Sequence, residues 1–200
     1  MPPPIDFYFD FSSPYGYLGS HKVDALAAKH GREAIWRPYL LGAAMKVTGQ
    51  APLPLIPLKG DYAKRDFLRS ARFHGVPYRH PTTFPIASVA PTRAFYWLNA
   101  RDPMRAKELA RELYAAYFLE DVDTSVAENA IAVAAKVGLA ADEVRAALAD
   151  QAVKDRTKAE VDKAIAIGAF GSPYVVVDGE PFWGVDRFDQ IDRWLATGGF

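Results

Sequence analysis

Two adjacent hydroxyls, Ser12 and Ser13, stand just before Pro14, where an alternating run gives way to a helical one. A serine at the start of a helix can do either of two jobs. It can accept an N–H of the first turn as a cap, or it can join the free amides and the dipole there in stabilising an anion. A serine alone is a poor nucleophile, and no histidine stands at an obvious position to activate either one. The chain has no cysteine, which excludes disulfides, Cys-ligated zinc, iron–sulfur clusters and any thiol of its own. The four histidines, His21, His30, His74 and His80, show no pair at metal-ligand spacing, so no metal is expected.

Other candidates lie far along the chain. Ser172-Pro173 precedes the apolar run Tyr174–Val177. Asp186, after Val185, is a good cap for the last helical pattern. Gln50 and Lys59 sit in the proline-rich stretch Gln50–Gly60, where isolated lysines are ordinarily solvated. Long irregular segments in a compact protein often line a binding site.

The elements that must position these residues read as follows. Ile5, Phe7, Phe9 and Phe11 alternate with Asp6, Tyr8 and Asp10, the period of a strand with one polar face. A helix is expected over 16–30, stopped by Gly31, then a second strand over 34–39. Proline and glycine crowd residues 42–91, interrupted by a short helix over 61–73. Helical patterns fill 92–167, with Pro103 opening one helix and Ser125 with Glu128 forming a capping-box pattern before another. Tyr174–Val177, Asp178-Gly179 and Pro181–Gly184 read as a hairpin, and a final helix begins near Asp186. The order β-α-β, helices, β-β-α is that of an α/β thioredoxin-like fold cut by a large all-helical insertion. Residues 1–40 and 168–200 would build the sheet, and 41–167 the helical insertion.

Composition narrows the function. Lys+Arg and Asp+Glu both total 24, so no global charge favours nucleic acid or an anionic membrane. No apolar run nears the roughly 20 residues that cross a bilayer. Met1–Pro4 lacks the basic start and apolar core of a signal peptide, so a cytoplasmic protein is expected.

The chain resembles the glutathione-dependent 2-hydroxychromene-2-carboxylate isomerases and the related kappa-class glutathione transferases, within the DsbA-like group. Four segments carry the likeness: Phe9–Leu18, Met45-Lys46 through Pro57–Tyr62, Gly168–Pro173 and Phe182–Arg187. In DsbA-type oxidoreductases the first turn reads Cys-Pro-His-Cys; here it reads Ser13-Pro14-Tyr15-Gly16. The resemblance therefore selects Ser13 over Ser12 and implies that its hydroxyl donates to the sulfur of bound glutathione. It implies a cis bond at Pro173, with the backbone of Ser172 holding the cysteinyl part of that cofactor. The Ser172 side chain is not required for this role.

The resemblance further implies that Val185 and Asp186 hold the γ-glutamyl end, with valine where relatives have serine, and that Lys59 and Gln50 contribute from the insertion. Tyr8, Tyr15, Phe84 and Trp183 are candidates for an aromatic acceptor wall, and Lys46 or Lys59 for a substrate carboxylate. The activity the resemblance implies is isomerisation of an aromatic hydroxychromene carboxylate or similar unsaturated keto acid by a homodimer, with no nucleic-acid or membrane partner. A glutathione-consuming kappa-like transferase or peroxidase, and a non-catalytic glutathione binder, are the alternatives.

Overall fold

The computed structural model describes residues 2–200. β1 (Ile5–Phe9) leads into two short helices, α1 (Pro14–Ser20) and α2 (Val23–Lys29), where the sequence suggests one. The break has a local cause. Gly16, Gly19 and Ser20 are weak helix formers, and the Ser20 hydroxyl bonds back to the Tyr17 carbonyl at 2.7 Å. β2 (Ala34–Pro38) then pairs parallel to β1. The sheet order is β2-β1-β3-β4, so β2 is an edge strand and tolerates Pro38.

The glycine- and proline-rich stretch is more ordered than expected. α3 (Leu41–Thr48) forms at its start and ends on Gly49, whose φ of 70° is the left-handed stop glycine allows. The prolines beyond it fold into a single 3-10 turn, Leu53–Leu55, before α4 (Lys59–His74). Five more helices follow: α5 (Val89–Asn99), α6 (Pro103–Phe118), α7 (Ala127–Lys136), α8 (Ala141–Ala149) and α9 (Gln151–Ala166). Asp102 caps α6 through the Arg105 N–H at 3.1 Å, behind the expected Pro103. The Ser125–Glu128 capping box does not form. Asp123 takes both the Ser125 hydroxyl (2.5 Å) and N–H (2.9 Å), and Glu128 pairs with Arg145.

β3 (Tyr174–Val177) and β4 (Glu180–Trp183) make the expected hairpin, and β3 pairs antiparallel to β1. Asp178 and Gly179 turn it with φ of 52° and 88°, the doubly positive pattern of a type I′ turn. The last helix, α10 (Phe188–Thr197), begins later than expected, because Val185–Arg187 form a 3-10 turn.

One core joins the sheet to the helices. Phe7 and Phe9 stack at 5.1 Å, and Phe9 also meets Phe11 (5.2 Å), Trp36 (5.4 Å), Phe95 of α5 (6.3 Å) and Tyr114 of α6 (5.7 Å). The face of β1 that reads as polar is covered too. Tyr8 packs with Tyr39, and with Val161 and Ala164 of α9, while Asp6 pairs with Arg37 at 2.7 Å. Among the described residues no helix is long and apolar enough to cross a membrane, and no cluster of His, Asp or Glu could hold a metal ion.

Candidate functional site

β1 delivers the Ser12-Ser13 turn to the start of α1, and β3 brings the Ser172-Pro173 bond beside it. Ser13 caps α1: its oxygen accepts the Gly16 N–H at 3.0 Å. The same hydroxyl donates to the Ser172 carbonyl at 2.9 Å, across 159 positions of sequence. The Ser172-Pro173 bond is cis, and so is Phe84-Pro85. The Ser172 N–H has no hydrogen-bond partner among the described residues, although the residue is buried. The Ser172 side chain has a structural task. Its hydroxyl accepts the Asp10 N–H at 2.9 Å, tying the cis-proline loop to the end of β1.

Asp10 is the group sequence reasoning missed. Its buried carboxylate accepts the Ser12 N–H (2.7 Å), the Leu41 N–H (2.7 Å) and the Ser88 hydroxyl (2.9 Å). Its carbonyl takes the Ser13 N–H (2.9 Å) and the Tyr114 hydroxyl (3.0 Å). Burial pushes its carboxyl above the ordinary range, against the pull of the Leu41, Ser12 and Ser88 donors. This one residue therefore fastens the Ser13 turn to α3, α5, α6 and the cis-proline loop. The only hint in the sequence is an acid two positions before the hydroxyl pair.

Space around Ser13 is closely filled. A Cβ at Gly16 would lie 2.5 Å from Ser172 Oγ and 2.8 Å from the Tyr114 hydroxyl. A Cβ at Gly171 would lie 2.0 Å from Trp183 Nε1, so Trp183 covers the backbone just before Ser172. Gly184, at φ 107°, lies against the Asp186 carboxylate and bonds through its N–H to the Pro173 carbonyl at 3.0 Å. Thus the turn 185–187 hangs directly on the cis-proline loop and packs against α1. The Val185 side chain is buried, Asp186 is exposed, and neither N–H has a partner among the described residues.

The remaining sequence candidates divide. Gln50, just beyond α3, and Lys59, the first residue of α4, are exposed and make no side-chain hydrogen bond among the described residues. Tyr15 and Phe84 both pack on Phe67 of α4, at 5.1 Å and 5.9 Å. Tyr8 lies under α9, and Trp183 packs on Phe170 at 4.8 Å, so these two do not join that wall.

α4 is held to the site by a polar cluster. The Tyr15 hydroxyl donates to Asp66, which also takes Arg69 and Ser70. Burial opposes ionisation of Asp66, but the Tyr15, Arg69 and Ser70 bonds outweigh it and hold the carboxyl below its usual range. An acid with a depressed folded pKa stabilises above its unfolded value, near 3.9, and loses that contribution as pH falls through the folded value. Tyr15→Phe should therefore cost about 1–2 kcal/mol at neutral pH, discounted for partial exposure. Urea unfolding should show the gap between variant and wild type closing as pH falls from the unfolded value through the lower folded one. A gap unchanged down to pH 2 would assign the cost to packing instead.

A sheet of this order with a cis-proline loop facing a helix-capping turn defines a thioredoxin-type protein, and the DSBA-like thioredoxin domain family matches residues 4–196. The chain belongs to that family. Within it, the chain is 29% identical to the 2-hydroxychromene-2-carboxylate isomerase of Sphingobium xenophagum, over 96% of this chain and 97% of that one. It is 27% identical to the human glutathione S-transferase kappa 1, over 98% of this chain and 94% of that one. A solved 2-hydroxychromene-2-carboxylate isomerase superposes with a TM-score of 0.85 at 25% identity, covering 96% of this chain and 94% of the other.

Proposed function

We propose that this chain is a glutathione-dependent isomerase of 2-hydroxychromene-2-carboxylate or a related aromatic unsaturated keto acid. The observation that carries the reading is the Ser13 hydroxyl set against the Ser172 carbonyl, beside an unpaired Ser172 N–H. An unpaired N–H beside a carbonyl whose one donor among the described residues is the Ser13 hydroxyl suits an extended peptide that pairs like an added strand, and glutathione fits that description. Ser172 would hold its cysteinyl backbone, and the open N–H groups of Val185 and Asp186, with the Asp186 carboxylate, its γ-glutamyl end. Lys59 and Gln50 would reach the other end from the insertion.

Bound glutathione would supply a sulfur that adds to an electrophilic carbon, allows bond rotation and leaves unchanged. The chain's part is to favour the ionised sulfur through the Ser13 hydroxyl, to keep water out with the Tyr15, Phe67 and Phe84 rings, and to hold the substrate carboxylate with Lys46 or Lys59. The reading carries with it a cytoplasmic homodimer serving aromatic catabolism; the exposed Leu55, Leu58 and Tyr62 offer apolar surface for a second copy.

A trace of glutathione should then support many turnovers of the chromene with free thiol constant. Ser13→Ala should slow that turnover about 10- to 100-fold near neutral pH, the worth of one charge-assisted hydrogen bond. The relationship to the human kappa transferase favours a second reading, a transferase or peroxidase that consumes glutathione. Thiol lost one-for-one to an electrophilic aromatic acceptor, with the chromene untouched, would select it.

A further inference from the structure

The Ser13 hydroxyl has one proton, and in the free chain that proton is already engaged. It goes to the Ser172 carbonyl at 2.9 Å, while the Ser13 oxygen accepts the Gly16 N–H at 3.0 Å. As it stands, Ser13 has nothing to donate to a sulfur. The Ser172 carbonyl accepts no other hydrogen bond among the described residues, and Ser172 is buried. Swinging the hydroxyl away would therefore strip a buried carbonyl of its donor, which costs as much as any hydrogen bond left unmade. That cost offsets much of the gain from a new bond to a thiolate.

An incoming amide N–H changes the balance. If a ligand donates to the Ser172 carbonyl, the hydroxyl leaves without stranding it, and a neutral bond is exchanged for a charge-assisted one. We propose that the Ser172 carbonyl holds the Ser13 proton until a ligand amide N–H replaces it, so that only thiols carried on a peptide backbone are activated. The carbonyl thus becomes a specificity-determining group. It discriminates against small thiols by withholding the proton donor, whatever their fit to the groove. No covalent step is involved: one hydrogen bond is exchanged for two. This inference rests on the glutathione reading above.

The test compares glutathione with its depsi analogue, in which an ester oxygen replaces the cysteinyl N–H. Thiolate absorbance of each, titrated at saturation on the enzyme, gives the bound thiol pKa. Glutathione should titrate about one to two units below its free value, and Ser13→Ala should abolish the drop. The depsi analogue should titrate near its free value on both proteins. An equal drop for both ligands overturns the inference and leaves glutathione dependence standing. Absence of glutathione binding overturns both.

A second measurement needs glutathione alone. The carbon-13 resonance of the Ser172 carbonyl should differ between wild type and Ser13→Ala in the free proteins and coincide once glutathione is bound. A difference that persists in the bound state would keep Ser13 on the carbonyl and overturn the proposal.

Discussion

Asp10→Ala should lower stability by about 3 kcal/mol and abolish most activity, because it leaves several buried donors without an acceptor at once. The Ser12 and Leu41 N–H groups and the Ser88 hydroxyl all end on that carboxylate. Each stranded donor costs about 1–3 kcal/mol, and relief of the buried charge returns part of the sum. Asp10→Asn keeps one acceptor oxygen and should lose roughly half as much. Urea unfolding of both variants beside wild type measures it. If Asp10→Ala unfolds at the wild-type midpoint, the carboxylate is not what anchors the Ser13 turn.

Phe9→Ala should cost still more, about 3–5 kcal/mol, the usual range for emptying a ring-sized space in a packed core. Phe9 is fully buried and touches rings from its own strand, β2, α5 and α6. Its removal opens the seam between the sheet and the helices, so near-ultraviolet circular dichroism should fall along with the unfolding midpoint. A loss below about 1 kcal/mol would mean that the two layers close over the gap by sliding together.

The parts of this design that could be read in advance are the local ones. The alternation Ile5–Phe9, the Ser13-Pro14 turn and the Asp178-Gly179 hairpin each carry their signal within a few residues, whereas the cis bond at Pro173 is legible only through the family resemblance. The failures are competitions between neighbours. Ser125 chose Asp123 over capping α7, and the Ser20 hydroxyl helped to divide one expected helix into two. The Asp10 junction was illegible for a different reason. Its partners lie 31, 78, 104 and 162 positions away, at Leu41, Ser88, Tyr114 and Ser172, and nothing in the local pattern announces such distances. Likewise, Asp6 and Tyr8 read as a solvent face because α9, which covers it, arrives some 150 residues later in the chain.

The crowding at Gly16 bears on how such a chain could change over evolutionary time. The corresponding position in a DsbA-type turn holds the second cysteine of a redox pair. Here a Cβ would meet the Ser172 hydroxyl and the Tyr114 hydroxyl at 2.5 Å and 2.8 Å. Shortening Ser172 to make room would free the Asp10 N–H and loosen the turn that carries residue 13. Building a dithiol here would thus require several substitutions together, the first of them harmful alone. Single steps in that direction descend before they climb, so the packing behind Ser13 acts as a ratchet against a redox pair at this turn.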